Sequence, residues 1–292
     1  MTVNISASQV KELRESTGAG MMECKKALVE SGGDMEGAIE ALRKSGILKA
    51  GKKAGRIAAE GIVVISSNGK QAVMVEINSE TDFVARDSNF TAFAKLVAEA
   101  ALKAQARDVS QFSETTLQDG KTVEQVRHEL VAKVGENVQI RRIVFINASG
   151  MVGTYLHGGR IGVLVELDAD NTDLARDIAM HIAAAKPLVV SPDQVSPDLV
   201  AKEKEIYMAQ AATSGKPQEI IEKMVVGRLK KYLDEVSLTG QPFVKDPETT
   251  IGNLLNKHRA KVVSFHRYEV GEGIEKVTED FAEAVMQQVQ GS

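Results

Sequence analysis

Thr81-Asp82-Phe83-Val84 sets a carboxylate beside a large aromatic ring, in a loop between a strand pattern and a helix pattern. The ring has two alternatives there. It can begin the helix and tuck into the core, which its size favours, or it can stand out as a wedge. The other candidates fail on their own chemistry. The run from Gly46 to Gly51-Lys52-Lys53 approximates a phosphate-binding loop, but residue 53 is Lys where Ser or Thr must hold magnesium. No buried strand precedes Gly46 either, so a lysine-rich linker is the better reading. Gly18-Ala19-Gly20 opens a dinucleotide fingerprint and then meets Glu23 in place of the third glycine. His128, His157, His181, His258 and His266 have no metal-binding spacing. His157-Gly158-Gly159 resembles an oxyanion-hole segment, yet no Gly-x-Ser-x-Gly nucleophile turn exists to use it. It reads instead as a hairpin turn on a partner surface. Cys24 is the sole cysteine, which excludes an internal disulfide and a cysteine-rich zinc site. The expectation is a protein with no catalytic residue, no metal and no cofactor of its own.

The elements that must position these residues follow from patterning. The 292 residues suggest about two domains, and the net charge of −4 creates no global field for nucleic acid or anionic lipid. No apolar run approaches the ~18 residues of a membrane span, and the first twenty residues lack an apolar signal core. A cytoplasmic location is expected. Ser6 and Gln9 have capping-box spacing ahead of one helix, which Gly18 and Gly20 end. A second helix over residues 21–30 places Met21, Cys24, Leu28 and Val29 on one face, and Asp34 caps a third with Ala38, Ile39 and Leu42. Residues 43–56 carry Arg43, Lys44, Lys49, Lys52, Lys53 and Arg56 without an acid or an aromatic, and read as a solvated connector rather than an RNA site. Strands over residues 61–66 and 71–77 flank Asn68-Gly69, a strong hairpin signal. Helices follow over residues 88–104 and 123–134, separated by a polar stretch over 105–122, and a strand over 140–146 comes next.

The chain then repeats itself ninety residues on. Val73-Met74-Val75-Glu76-Ile77 faces Val163-Leu164-Val165-Glu166-Leu167, and Ala85-Arg86-Asp87 faces Ala175-Arg176-Asp177. Two related α+β halves are the economical reading. In the second copy Asp173 stands where the first has Phe83, so the position need not belong to a core. Pro187, Pro192 and Pro197 precede two long helical patterns over residues 198–213 and 217–233, an antiparallel hairpin inserted before a strand over 261–270. Ile220, Ile221, Met224, Val225, Leu229, Tyr232 and Leu233 share one side of the second helix. A last amphipathic helix is expected through Ile274, Val277, Phe281, Val285 and Val289.

Five segments carry a specific resemblance. Residues 10–28 (VKELRESTGAGMMECKKAL), 81–86 (TDFVAR), 135–142 (GENVQIRR), 157–162 (HGGRIG) and 236–243 (VSLTGQPF) resemble the bacterial elongation factor Ts family. The resemblance runs nearly the full length of the chain, although the polar stretch over 105–122 is longer than usual. It implies an α+β fold with an N-terminal three-helix domain of the ubiquitin-associated type (residues 1–55) and a core of two related subdomains. These span 56–147 and 148–190 with 234–271. An inserted helical hairpin (191–233) and a C-terminal helical module (272–292) complete it. The implied activity is guanine nucleotide exchange on elongation factor Tu, with no enzymatic reaction. Thr81, Asp82, Phe83 and Val84 would form the loop that dislodges the partner's magnesium ion so that GDP leaves. Arg14, Met21, Met22, Val134, Gly135 and His157 would make the other partner contacts. The implied partner is GDP-bound and nucleotide-free elongation factor Tu, with the GTP/aminoacyl-tRNA complex a further candidate. Direct nucleic-acid and membrane binding are not expected, and the hairpin is a candidate for self-association.

Overall fold

A computed structural model describes residues 5–213 and 217–275. Its first three helices are α1 (Ala7–Thr17), α2 (Met21–Glu30) and α3 (Met35–Lys53). Ser6 caps α1 through the full capping box with Gln9, and Gly18, at φ 67°, ends it. Val10, Leu13, Cys24, Ala27, Leu28 and Ala38 form a small core. Met21 and Val29, expected on the inner face of α2, are exposed, and Ala27 fills the inner position. A three-helix unit of this size cannot cover both ends of so short a helix.

The expected connector over residues 43–56 is helix as far as Lys53. The reason is packing across the chain. Gly46 lies against α7 (Val123–Val134), where a Cβ would stand 3.7 Å from that of Ala132, and Ala50 enters the core beneath the first sheet. Three of its cations reach other parts of the chain: Lys49 pairs with Glu23, Lys53 donates to the Gly135 carbonyl, and Arg56 lies 3.5 Å from Glu80.

The first half then runs β1 (Glu60–Ser67), β2 (Gln71–Ser79), α4 (Asp82–Ala85), α5 (Ser88–Ala104), α6 (Val109–Ser113), α7 (Val123–Val134) and β3 (Gln139–Asn147). The second runs β4 (Met151–His157), β5 (Ile161–Leu167), α8 (Thr172–Ala185), α9 (Pro197–Ala212), α10 (Gln218–Val236), β6 (Pro242–Phe243), β7 (Asp246–Thr250), α11 (Ile251–His258) and β8 (Val262–Glu269). The polar stretch thus hides α6, anchored by buried Phe112. On α10 only Ile221 and Val225 of the expected stripe are fully buried, and Ile220 is exposed, because α9 covers one strip alone. The expected terminal helix falls largely outside the described residues.

The chain is mixed α and β. Its two three-stranded antiparallel sheets have orders β1-β2-β3 and β4-β5-β8, and each breaks register at the same place in the repeat, Glu76/Ile77 and Glu166/Leu167. Alternation does the rest. Val73, Val75 and Ile77 face α5 and α7, while Val163, Val165 and Leu167 face α8. The opposite faces meet through Val63, Met74, Ile146, Val152 and Leu164, giving helix, sheet, sheet, helix. Gly162 permits that approach, since a Cβ there would stand 2.5 Å from Val63 Cγ1 and 2.7 Å from Met74 Sδ.

Candidate functional site

At the end of β2 the chain leaves the sheet and forms α4, a helix of one turn. Thr81 is its N-cap, the side chain accepting from the Val84 N–H at 3.3 Å. Asp82 is therefore not the cap; it is the first helical residue and pairs with Arg86 at 3.0 Å. Ala85 turns inward and Val84 packs against the first core, but Phe83 is 81% exposed. Leaving a phenylalanine in water forgoes roughly 1.5–3 kcal/mol of burial, so the tucked alternative is excluded at a real cost in stability.

The repeat explains the geometry. Asn171 caps α8 by accepting from the Leu174 N–H at 3.0 Å, as Thr81 does for Val84. Leu174 and Ala175 are buried, matching the inward side of Val84 and Ala85, while Asp173 is exposed in the place of Phe83. The helices then differ. In the second half the helix continues unbroken to Ala185, whereas in the first Asp87 starts α5 afresh, accepting from the Asn89 N–H at 2.8 Å. The Asn89 side chain and amide hold the Asp87 carboxyl below its ordinary value.

The loop is braced from outside. The Thr81 N–H and hydroxyl donate to the two oxygens of Glu136, at 3.0 and 2.7 Å. Glu80 accepts from the Asn137 N–H at 2.6 Å, and the Asn137 side chain donates to the Arg56 carbonyl at 2.7 Å. Glu136, Glu80 and Asn137 were not among the expected site residues. The only sequence signal for two of them was their place within residues 135–142.

The other expected site residues group around this loop to different degrees. Val134 ends α7, and Gly135, left-handed at φ 80°, turns the chain towards Thr81. Lys133 donates to Asn89 at 2.6 Å and lies beside Gly18 in the turn between α1 and α2. Arg14 is exposed on the last turn of α1; Met21 and Met22 open α2, exposed by 58% and 75%. His157 stands at the tip of the β4–β5 hairpin, its Nδ1 3.1 Å from the Tyr155 hydroxyl. That hairpin docks on β1, where Gly159 accepts from the Val63 N–H and Arg160 pairs with Glu60, the residue opposite Ser79. The hairpin tip and the loop of Phe83 thus share one end of the first sheet.

Beneath this surface Glu76 is fully buried between the sheets. It takes hydrogen bonds from Arg141 Nη1 at 3.0 Å, Arg142 Nε and the Gly271 N–H at 2.8 Å. Burial alone would raise its carboxyl, but the Gly271 amide and the two guanidiniums outweigh that and hold it below the usual value. Arg142 also lies 4.0 Å above the Tyr268 ring. Among the described residues no cluster of three His, Cys, Asp or Glu could hold a metal. The phosphate-loop candidate from Gly46 to Lys53 is continuous helix, whose backbone amides are already engaged.

A family model for elongation factor TS matches residues 80–272. The elongation factor Ts of Thioalkalivibrio sulfidiphilus is 60% identical over 294 residues, covering 99% of this chain and 100% of that protein. The chain belongs to the elongation factor Ts family. The elongation factor Ts of Legionella pneumophila strain Paris is 58% identical over 287 residues, with 98% of each chain covered. That of Halorhodospira halophila is 54% identical over 292 residues, covering 99% of this chain and 100% of the relative. Membership makes the protein a translation elongation factor. Among the described residues no helix is long and apolar enough to cross a membrane.

Proposed function

We propose that this chain is a guanine nucleotide exchange factor for elongation factor Tu. It binds the GDP form and drives Phe83 and Asp82 towards the partner's magnesium site, so that the cation is displaced, GDP leaves and GTP can load. The observation that carries this reading is Phe83: a phenyl ring 81% exposed on a one-turn helix held by hydrogen bonds from a separate part of the chain. An apolar group kept in water and held in place is suited to enter a partner. Asp82 adds a negative charge one residue away, partly neutralised by Arg86.

The wedge does not act alone. Weakening a bound nucleotide by ~10⁴ needs about 5.5 kcal/mol of differential binding, and burying one Phe contributes roughly 1.5–3 kcal/mol. The remainder is assigned to Arg14, Met21 and Met22 on the N-terminal helices, to Val134 and Gly135 beside the loop, and to His157 on the second hairpin. The exposure of Arg14, Met21, Met22, Gly135 and His157, and the place of half-buried Val134 next to Gly135, support this. The small core of the N-terminal helices and the helix-facing cores of the two sheets support dividing the chain at 1–55, 56–147 and 148–271, with residues 191–233 as an inserted hairpin, Ala50 of the first unit packing into the core of the second. The working compartment would be the cytoplasm, where elongation takes place. The test is the release of fluorescent GDP from elongation factor Tu. Acceleration by catalytic amounts of the chain is expected; an unchanged rate at excess chain would overturn the reading.

A further inference from the structure

We infer that Glu136 is the positioning residue of the exchange loop, an inference that rests on reading Phe83 as the wedge. The α4 helix has four residues, too few to hold its own shape, since forming a single turn is unfavourable in water. Phe83, at 81% exposure, adds little packing to hold it. The conformation must therefore be imposed by neighbours, and the most complete contact is that of Glu136. One carboxylate oxygen accepts from the Thr81 N–H at 3.0 Å and the other from the Thr81 hydroxyl at 2.7 Å. Thr81 is the N-cap of α4, so both contacts act on the residue that starts the helix carrying Phe83. Hydrogen bonds to a charged acceptor are stronger than neutral ones, and paired bonds fix direction as well as distance.

The placement of Glu136 follows from its surroundings. Gly135 ends α7 in the left-handed conformation and delivers Glu136 to the loop, while Asn137 is tied to Glu80 and to the Arg56 carbonyl. The Ser79 hydroxyl donates to the Thr81 carbonyl at 2.9 Å, securing the other side of the cap. The second half of the repeat supplies the contrast. Its cap, Asn171, opens the 14-residue helix α8, whose inward face fixes it. Beside β5 the strand β8 takes the place of β3, with Val262 opposite Leu167 as Ile140 is opposite Ile77, so His258 stands where the first half has Glu136, its Nδ1 3.4 Å from the Asn171 side-chain nitrogen. The exposed aromatic thus goes with a two-point carboxylate brace on its cap, and the copy with Asp173 has a single, longer imidazole contact instead.

The test uses the full chain and elongation factor Tu loaded with fluorescent GDP, following release as a function of factor concentration. Glu136→Ala is expected to lower the release rate at saturation by about tenfold while shifting the half-saturating concentration by no more than about twofold. Glu136→Gln is expected to retain most of the rate, because its amide oxygen still accepts from the Thr81 N–H and its amino group can donate to the hydroxyl. The double variant with Phe83→Ala should be no slower than Phe83→Ala alone, which a general loss of stability would not produce. Should Glu136→Ala not fold, Thr81→Val, which removes the hydroxyl contact to Glu136 together with the cap on the Val84 N–H, is expected to slow release several-fold. A normal rate in both Glu136→Ala and Thr81→Val, with Phe83→Ala slow, overturns the positioning role alone. Multiplicative losses in the double variant overturn it as well. A normal rate in Phe83→Ala overturns the wedge itself, and the role of Glu136 with it.

Discussion

Replacing Glu76 by Gln separates the charge of the buried carboxylate from its shape. Glu76 is 0% exposed and anchors Arg141, Arg142 and the Gly271 amide, which come from β3 and from the turn after β8. Gln fills the same space and keeps one acceptor, but takes the buried counter-charge from Arg141 and leaves Arg142 with Glu272 at 3.6 Å. Removing one member of a fully buried pair costs ~3–5 kcal/mol. The arginine side chains are 26% and 28% exposed, so water recovers part of that, and about 2–3 kcal/mol is expected here. Urea unfolding of the full chain measures it, as a lower midpoint at an unchanged slope. The pH dependence supplies a second reading. The folded carboxyl lies below its ordinary value of 4.5, so its contribution is complete above that value and is lost as pH falls through the folded one. The stability gap between wild type and Glu76→Gln should therefore narrow below about pH 4.5 and stay constant above it. A loss under about 0.5 kcal/mol at neutral pH would refute the view that this network joins the sheets.

Three further outcomes follow from the same contacts. His181 is buried and neutral, with Nδ1 accepting from the Val244 N–H at 3.3 Å and Nε2 facing Gln241 Oε1 at 2.9 Å, and burial lowers its pKa. The unfolded chain binds the proton more readily, so the urea midpoint should fall as pH drops below about 6.5; a His181→Gln variant that keeps the full slope would assign the effect elsewhere. Asp173→Ala should leave GDP release unchanged, whereas Leu174→Ala should lose about 2–5 kcal/mol of stability in urea because Leu174 is a core residue. A chain beginning at Ala54 should melt at a clearly lower temperature and not merely bind more weakly, since it lacks the α3 surface against α7. An unchanged melting temperature would show that α3 is dispensable to the first core.

Local chemistry made much of this fold legible. The capping box at Ser6–Gln9 marks a true helix start, and Asn68-Gly69 turns the expected hairpin. The ninety-residue repeat anticipated two sheets of equal order, and its Asp173 pointed to the outward position of Phe83. Contacts distant in sequence were not legible. The basic stretch became helix because α7 receives Gly46, and its charges found Glu23, Gly135 and Glu80. The partners Thr81 and Glu136 stand 55 residues apart, and no periodicity connects them. The short elements β6, β7 and α11 are too brief for a pattern to separate them from loop.

The exposed ring at Phe83 is the centre of this account, and its removal tests the account most directly. GDP release from elongation factor Tu should be measured at saturating wild-type chain and at saturating Phe83→Ala. Losing roughly 1.5–3 kcal/mol of burial in the partner predicts a rate lower by about 10- to 150-fold. Binding to nucleotide-free elongation factor Tu should remain substantial, held by the rest of the interface. GDP release by Phe83→Ala at the wild-type rate would contradict the account.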